Sequence, residues 1–545
     1  MEILTAAEMA AADRRTAEEF GVPLATLMEN AGAAVARFCL QQYAAAERVL
    51  VLCGKGNNGG DGLVAARALA AAGLRVEALV LASTQDLKGE AALALQRLRA
   101  EAPSVMLHEI PDEAALREHQ DALREADLIV DAVVGTGFQP PLRGLAAAVG
   151  GLLADSVAPV VAIDLPSGWD ADSTEETALG AFRASAVVTF TRPKRAHVFG
   201  NLTGSASGPV VVAEIGSPPE AVTSDLHLLW AGSAKSIAEP PRAVNSNKGM
   251  YGHVLLVGGS YGTAGAPSMA SLAAMRAGAG LVTAAVPRSI TDIVAGFAPE
   301  LMLAPLHEDA TGTVSLDNIT GAAGDSIAKL IEEKRITTVA IGPGLSTRGD
   351  ASEFARRIVA ETKLAMVVDA DALNAFDSRA KKLNGAGRVL VLTPHPGEMA
   401  RLAGLSIKEV EADRIGLARR FATEHSLTLV LKGWRTLIAH PDGRIAVNTS
   451  GNPALAKGGS GDILTGIVAA MLAQYARSGE AADVARAVEA AVYLHGLAAD
   501  IAVLDGDEHT ILATDTIAHL SDAFRYRAKE AGGLTWLCGI REVHA

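Results

Sequence analysis

Arg48-Val49-Leu50-Val51-Leu52-Cys53-Gly54-Lys55-Gly56-Asn57-Asn58-Gly59-Gly60-Asp61-Gly62 decides how the first part of the chain folds. A short apolar run that stops at glycine reads as a buried strand. Leu63 to Ala72 returns to helical spacing, and Val76 to Leu81 reads as the next strand. The result is a β-loop-α-β unit, the building block of a parallel sheet, which takes ligands in the loops at the carboxyl ends of its strands. The glycine spacing is not the dinucleotide fingerprint, and a generic nucleotide loop has no need of Asn57, Asn58 and Asp61.

Further strands surround this unit. Before it, Thr5 to Phe38 is helical in two runs separated at Pro23. After it, Asp127 to Val134 is a strand ending in Gly135-Thr136-Gly137. Val160 to Ile163 runs into Asp164-Leu165-Pro166-Ser167-Gly168, and Ala186 to Phe190 is followed by Arg192-Pro193-Lys194. Taken singly, each aspartate also fits a helix cap or a turn. Together they stand at successive strand ends, so Asp61, Asp131, Asp164 and Ser167 are expected to meet in one crevice.

The pattern breaks near Ile215-Gly216-Ser217-Pro218-Pro219, which places one domain at residues 1–220 and a second at 225–530. In the second, His253–Val257, Gly280–Pro287, Thr337–Ile341, Ala365–Val368, Val389–Leu392 and Leu427–Leu431 read as strands between helices. That alternation predicts a second, mostly parallel sheet with helices on both faces. Gly532 to Ala545 reads as an exposed tail with an apolar patch.

With 545 residues the chain exceeds one ordinary core. Apolar residues at 49% and charged residues at 20% mark it as globular. A net charge of −14 argues against a nucleic-acid binder working through a basic surface, but not against binding a nucleotide. Cys39, Cys53 and Cys538 lie far apart without metal spacing, which fits a reduced compartment. The first residues lack the pattern of a signal peptide, and no apolar run reaches membrane-spanning length. A cytoplasmic enzyme with neither membrane nor nucleic-acid partners is expected.

A second glycine loop, Gly458-Gly459-Ser460-Gly461-Asp462, opens an apolar helix at Ile463. Amide hydrogens and a helix start suit a phosphate. Asp462 beside that anion is explained if it takes a proton from a hydroxyl that attacks the phosphate. The plainer alternative is an N-cap. Lys432, with Gly433 and Thr436, stands at a strand end and fits either a contact to nucleotide phosphates or an ordinary surface lysine. His395, stiffened between Pro394 and Pro396, fits a substrate contact or a structural histidine. Asp369 and Asp371 fit either the orientation of magnesium-bound water or helix caps. No Walker lysine motif is present.

Together these motifs resemble a known family. The first half resembles the NAD(P)H-hydrate epimerase domain, through Gly54–Gly62, Asp131-Ala132-Val133-Val134-Gly135-Thr136-Gly137 and Asp164–Gly168. The second half resembles the ADP-dependent NAD(P)H-hydrate dehydratase, a ribokinase-like domain. The matching motifs there are Gly258-Gly259-Ser260, Gly265-Ala266-Pro267, Gly342-Pro343-Gly344, Thr393-Pro394-His395-Pro396-Gly397-Glu398 and Gly451-Asn452-Pro453 through Asp462. The resemblance covers nearly the whole chain. It implies a Rossmann-like three-layer α/β domain followed by a ribokinase-like α/β domain.

The resemblance also implies site roles. Asn57, Asn58, Gly59, Gly60, Asp61, Gly135, Thr136, Gly137, Phe138, Gln139, Pro140, Pro141 and Asp164 would bind the hydrated nucleotide in the first site, with a potassium ion on Asn58, Asp131 and Ser167. In the second, Ala266, Gly344, His395 and Asp462 would contact the hydrate. Lys432, Gly433, Trp434, Arg435, Thr436 and Gly461 would bind the adenine nucleotide, ADP acting as co-substrate with Mg2+. Asp462 and Asp164 are the expected catalytic residues, with Asp61 the second candidate after Asp164 for the acid or base of epimerisation. The implied substrates are NADHX and NADPHX, and the implied assembly is a homo-oligomer. One departure stands out: Ala454-Leu455-Ala456-Lys457 replaces the Gly-Met-Ala-Thr expected before the loop, and Lys457 would add positive charge beside the phosphates. The rival enzyme reading is a ribokinase-like kinase of a vitamin-precursor alcohol with a nucleotide-binding N-terminal module. A rival of another class is an RNA-decapping scaffold module, against which the retained Asp61, Asp131 and Asp164 argue.

Overall fold

The computed structural model describes residues 1–205, 208–321 and 326–541. Its contacts divide the chain into two compact units: Met1–His227 together with the segment that starts at Arg527, and Leu228–Tyr526.

In the first unit the strands are β1 (Arg48–Cys53), β2 (Arg75–Val80), β3 (Met106–Glu109), β4 (Leu128–Ala132), β5 (Val160–Ile163), β6 (Ala186–Phe190) and β7 (Val210–Ala213). They form one parallel sheet in the order β7-β6-β5-β4-β1-β2-β3. Alternate residues of β1 feed two cores, as the pleat requires. Val49, Val51 and Cys53 pack with residues of the helices Leu24–Gln42, Asn57–Ala71 and Gly89–Glu101. Leu50 and Leu52 pack on the other face with Leu116, Leu123, Val149 and Leu153. This is the expected three-layer α/β arrangement. The chain leaves β1 toward β2 on one side and later returns to β4 on the other. The carboxyl ends of β1 and β4 therefore flank a topological switch point, where such sheets bind ligands.

The second unit holds β8 (Leu228–Trp230), β9 (His253–Val257), β10 (Leu281–Pro287), β11 (Met302–Leu306), β12 (Thr338–Ile341), β13 (Ala365–Val368), β14 (Leu390–Leu392), β15 (Thr428–Leu431), β16 (Leu437–Ala439) and β17 (Ile445–Val447). Their order is β11-β10-β9-β12-β13-β14-β15-β16-β17-β8. The strands from β11 through β15 run parallel, while β16 turns back antiparallel to β15 and β17 antiparallel to β16. The switch point here lies between β9 and β12. Helix Ser460–Tyr475 is buried along nearly its whole length. It packs so closely on helix Gly265–Arg276 that a Cβ on Gly466 would lie 2.0 Å from the Ala270 carbonyl oxygen.

The exposed-tail reading of the C-terminus is corrected. Leu534–Cys538 forms a fully buried strand, β18, antiparallel to β7 at the edge of the first unit's sheet. Trp536 is 1% exposed, its ring centroid is 6.1 Å from that of Phe38, and its indole N–H donates to Glu530 (2.8 Å). Residues 542–545 of the tail lie outside the described residues. The boundary falls at His227, and the chain re-enters the first unit at Arg527, beyond the single crossing expected from sequence. Among the described residues no helix is long and apolar enough to cross a membrane.

Burial of Trp536 makes it a structural anchor of the first unit. Trp536→Ala is expected to destabilise that unit by about 3–5 kcal/mol, the usual cost of truncating a buried aromatic. Urea unfolding followed by circular dichroism checks this; an unchanged midpoint contradicts it.

Candidate functional sites

In the first unit the β1 turn is pressed against the end of β4. Gly54 donates its N–H to Ala132 O (3.0 Å), and a Cβ there would lie 2.0 Å from the Val133 carbonyl oxygen, so only glycine fits. Helix Asn57–Ala71 then starts at Gly56 with no side-chain cap, leaving its first amides toward the crevice. Asn58 packs on Gly135, and its Nδ2 is buried without a hydrogen-bond partner. Asp131, on β4, accepts from Ser167 Oγ (2.6 Å), Ser167 N (2.8 Å) and Val133 N (3.2 Å). Burial pushes its carboxyl up to about 6. Ser167 Oγ in turn accepts from Val134 N (3.0 Å), so this pair staples the loops after β4 and β5.

Asp164 follows β5 with φ at 65°, in the left-handed region. Its Oδ2 accepts from Thr136 N (3.1 Å) and Thr136 Oγ1 (2.8 Å). Its Oδ1 accepts from Thr189 Oγ1 (2.8 Å) and lies 2.7 Å from the buried Lys194 ammonium. Burial favours the neutral acid, but the Lys194 charge and these hydrogen bonds hold the carboxyl well below the usual range. His197 fixes the backbone. Its Nδ1 accepts from Lys194 N (3.0 Å), so its Nε2–H donates to Asp164 O (2.6 Å). Burial lowers its pKa to about 4 and keeps the ring neutral.

Asp61, in the first helical turns, has the opposite environment. Burial first, then the charges of Asp164 and Asp13, raise its pKa well above the ordinary value. The crevice therefore holds two carboxyl groups pushed in opposite directions, Asp164 down and Asp61 up. Asn57 is exposed, and Gly59 and Gly60 are buried in the helix start. Gly135 and Thr136 reach this cluster directly. Gly137, Gln139, Pro140 and Pro141 lie in an exposed stretch, with Phe138 closing a turn on Gly135 O (3.0 Å). Thr189 and His197 drew no attention in the sequence, because a strand threonine and a helical histidine carry no local signal.

In the second unit the N-cap of helix Ser460–Tyr475 is Gly459, with φ at 99° and no side-chain cap. Asp462 is therefore not the N-cap. It sits in the first turn with its carboxyl only partly buried. Burial, then the neighbouring Asp369 carboxylate, push it up to about 6. Lys432, after β15, places Nζ 3.0 Å from Asp369 Oδ1 and 3.8 Å from Glu398 Oε2. Burial opposes that charge, but Asp369 and Glu398 keep the ammonium protonated. A Cβ on Gly461 would lie 3.4 Å from Lys432 Nζ, so the lysine lies against the glycine loop.

The cap reading of Asp369 is also excluded: its carboxylate makes no cap bond and instead takes Lys432 and Thr465 Oγ1 (2.7 Å). Asp371 accepts from Ser346 N (2.8 Å). His395 is half exposed and caps helix Pro396–Ala403, its Nδ1 accepting from Gly397 N (3.0 Å). Its Nε2 lies 3.5 Å from Glu398 Oε1. Ala266 and Gly344 meet, a Cβ on Gly344 falling 3.1 Å from that of Ala266.

The Lys432–Thr436 turn is braced by Arg414, which sequence reading missed and which donates to the carbonyls of Trp434 and Lys432. Gly433 is exposed, and Thr436 Oγ1 donates back to its carbonyl (3.2 Å). Arg435 is turned inward, stacking over Trp434 and donating to Thr449 O (2.7 Å). Lys457 does not face a phosphate site as expected. Its ammonium holds the carbonyls of His509 (2.8 Å) and Ile511, because that loop lies within its reach. A cavity of about 750 Å³ opens at the other end of the sheet, lined by Thr338, Ala365, Leu390 and Thr428 at the amino ends of β12 to β15. The converging carboxylates lie at the carboxyl ends, so the chemistry is assigned there.

Comparison with known proteins agrees with this division. Residues 254–522 match the family model described as NAD(P)H-hydrate dehydratase, and residues 24–196 match the one described as YjeF-related protein N-terminus. Proteins called bifunctional NAD(P)H-hydrate repair enzyme are similar over nearly the whole length. The one from Moorella thermoacetica is 40% identical over 97% of this chain and 98% of its own. That of Coxiella burnetii is 37% identical over 93% and 96%, and that of Escherichia coli 34% identical over 93% and 91%. Among solved structures, an ADP/ATP-dependent NAD(P)H-hydrate dehydratase from Bacillus subtilis, co-crystallised with ATP/Mg2+, is 29% identical with a TM-score of 0.44. It covers 55% of this chain and 99% of its own. A ribokinase-like superfamily protein from Enterococcus faecalis is 26% identical with a TM-score of 0.45, covering 56% and 97%. With relatives aligned end to end at this identity, the chain belongs to the family of bifunctional NAD(P)H-hydrate repair enzymes.

Proposed function

We propose that the second unit dehydrates the S form of hydrated NADH or NADPH at the expense of ADP, through Asp462. The observation that carries this reading is the Asp462 carboxylate in the first turn of a helix whose N-terminal amides are uncapped, with Lys432 lying against the same glycine loop. Those amides and Lys432 suit the phosphates of the nucleotide. Asp462 accepts the proton of the substrate hydroxyl as its oxygen attacks the β-phosphorus, and AMP leaves. The C–O bond of the phosphate ester then breaks, with the ring nitrogen supplying the electron pair. Loss of the neighbouring C–H proton completes the ring of NAD(P)H, and inorganic phosphate departs. Ala266, Gly344 and His395 contact the hydrate, and the turn Lys432–Thr436 with Gly461 contacts the adenine nucleotide. Among the described residues no cluster of three His, Cys, Asp or Glu side chains forms a metal cage. Mg2+ would be held through the nucleotide phosphates, where it would neutralise their charge.

The first unit, on this reading, interconverts the R and S hydrates. Inversion at the hydroxyl-bearing carbon needs one group that takes a proton and one that gives it, whether the ring opens or the hydroxyl leaves. Asp164, held ionised by Lys194, is the acceptor, and Asp61 the donor. A potassium ion fits beside them. Asp131 at the end of β4, Ser167 in the loop after β5 and Asn58 Oδ1 at the start of helix Asn57–Ala71 would supply its oxygens, beside the loops at Gly135 and Ser167. Bound there, the cation would offset the buried Asp131 charge and fix those loops.

Asp462→Asn is expected to lower dehydration by at least about 1000-fold while ADP affinity changes little, measured by NADH absorbance and calorimetry. In the unsubstituted protein the same rate should fall as pH drops through about 6, where Asp462 becomes protonated. Undiminished turnover by the variant, or a rate flat across that range, contradicts the assignment. For the cation, potassium chloride is expected to raise the melting temperature of the first unit above that in tetramethylammonium chloride at equal ionic strength. Asp131→Asn should erase the difference; equal melting of the unsubstituted protein in both salts counts against the site.

A further inference from the structure

The cavity at the amino ends of β12 to β15 has no part in the account so far. It measures about 750 Å³, the size of a small-molecule site, and all of its lining belongs to the second unit. The strands in its floor carry the Lys432 cluster at their other ends. Ala365 begins β13 and Thr428 begins β15, while Asp369 and Lys432 follow the last residues of those strands. Each strand is four residues long. That sets the two ends about 13 Å apart, so the cavity is separate from the site of Asp462.

The lining is cationic in an acidic protein. Lys363, Arg388, Arg444 and Arg477 face one carboxylate, Asp442, whereas the whole chain carries −14. Asp442 is spent on Arg444, 2.7 Å away. Arg388 is fixed by the carbonyls of Val359 and Thr362, and Arg477 by those of Gly249 (3.1 Å) and Met250 (3.0 Å). Carbonyls orient a guanidinium without cancelling its charge, so Lys363, Arg388 and Arg477 have no carboxylate in the lining. Helix ends do not reverse the balance. Helices Ala351–Glu361, Arg414–Glu424 and Ser460–Tyr475 end at this side of the sheet and Ala481–Ala502 begins there. At about half a charge per terminus they add about one negative charge in all. His440, 3% exposed, is braced in the wall by Glu489 Oε1 (3.0 Å) behind it. The rest of the wall is apolar, with Leu364, Leu390, Leu427, Leu472 and Val484.

We propose that this cavity is a second ligand site, for an organic phosphate. The cationic rim takes the anion, and the leucines take an apolar body. Several fixed cations select a multiply charged group, and guanidinium forks match phosphate oxygens in pairs. A purely inorganic anion would use the rim and leave the apolar wall in water, forgoing that part of the binding energy.

The test is differential labelling of the full-length chain with phenyl phosphate as probe. Lys363 is exposed, and peptide mass spectrometry reads its acetylation by an N-hydroxysuccinimide ester. Lys408, exposed and outside the cavity, serves as reference. Phenyl phosphate at ten times its dissociation constant should slow acetylation of Lys363 about tenfold and leave Lys408 unchanged. Inorganic phosphate should need a higher concentration for the same protection. Arg444→Glu reverses one charge of the rim and should weaken protection about tenfold, with turnover of the hydrate and ADP unchanged. Equal acetylation of Lys363 with and without phenyl phosphate overturns the proposal. So does protection that survives Arg444→Glu undiminished. Protection by inorganic phosphate at the same concentration as phenyl phosphate contradicts the organic class.

Discussion

The pair between Lys432 Nζ and Asp369 Oδ1, 3.0 Å apart, is the interaction on which the second unit's chemistry depends. Asp369 follows β13 and Lys432 follows β15. Glu398, 3.8 Å from the same ammonium, comes from the first turn of helix Pro396–Ala403 after β14, and Thr465 on helix Ser460–Tyr475 donates to the other Asp369 oxygen. A single cation thus joins three strand ends and the helix that carries Asp462. Breaking one partner of such a buried pair is costly, since the other is left charged and unpaired. Burial first, then the Asp369 carboxylate, raise Asp462 to about 6 against the pull of the Lys432 charge, and so make it a base able to hold a proton near neutral pH.

The first unit repeats this arrangement with different residues. Lys194 is spent on Asp164, and Asp61 is left with a raised pKa. In each unit a lysine pairs with one carboxylate, and a second carboxylate nearby carries a raised pKa, owed first to burial. Environments that push two carboxyl groups apart in pKa are how a protein sets an acid against a base at one pH. The first site stands at the switch point of its sheet, and the second gathers residues that follow the carboxyl ends of β13, β14 and β15.

Much of this was legible from sequence because it is local. A strand that runs into glycines and polar residues advertises a site, so Asn58, Asp131, Asp164, Ser167, Lys432 and Asp462 stood out. Residues whose role is set by a distant partner did not. Thr189 and His197 matter only because Asp164 folds onto them, Arg414 only because it reaches the Lys432–Trp434 turn, and Thr465 only because Asp369 arrives from far along the chain. The last strand was hidden for the same reason. Leu534–Cys538 is short and lies beyond the second unit, while its partner β7 lies hundreds of residues earlier. Lys457 was misjudged because its neighbours in sequence are glycines, whereas its partners in space are carbonyls of residues 509 and 511.

The central claim is that the hydroxyl of the damaged cofactor is itself phosphorylated before it leaves. Hydrate prepared in water enriched in oxygen-18 carries the label on that hydroxyl, and mass spectrometry of the inorganic phosphate reads its fate. Transfer of the β-phosphoryl group to the substrate, followed by cleavage of the C–O bond, puts one labelled oxygen into each phosphate released. Unlabelled phosphate formed in step with NADH would mean that ADP is hydrolysed by water, and that Asp462 does not hand the substrate its phosphate.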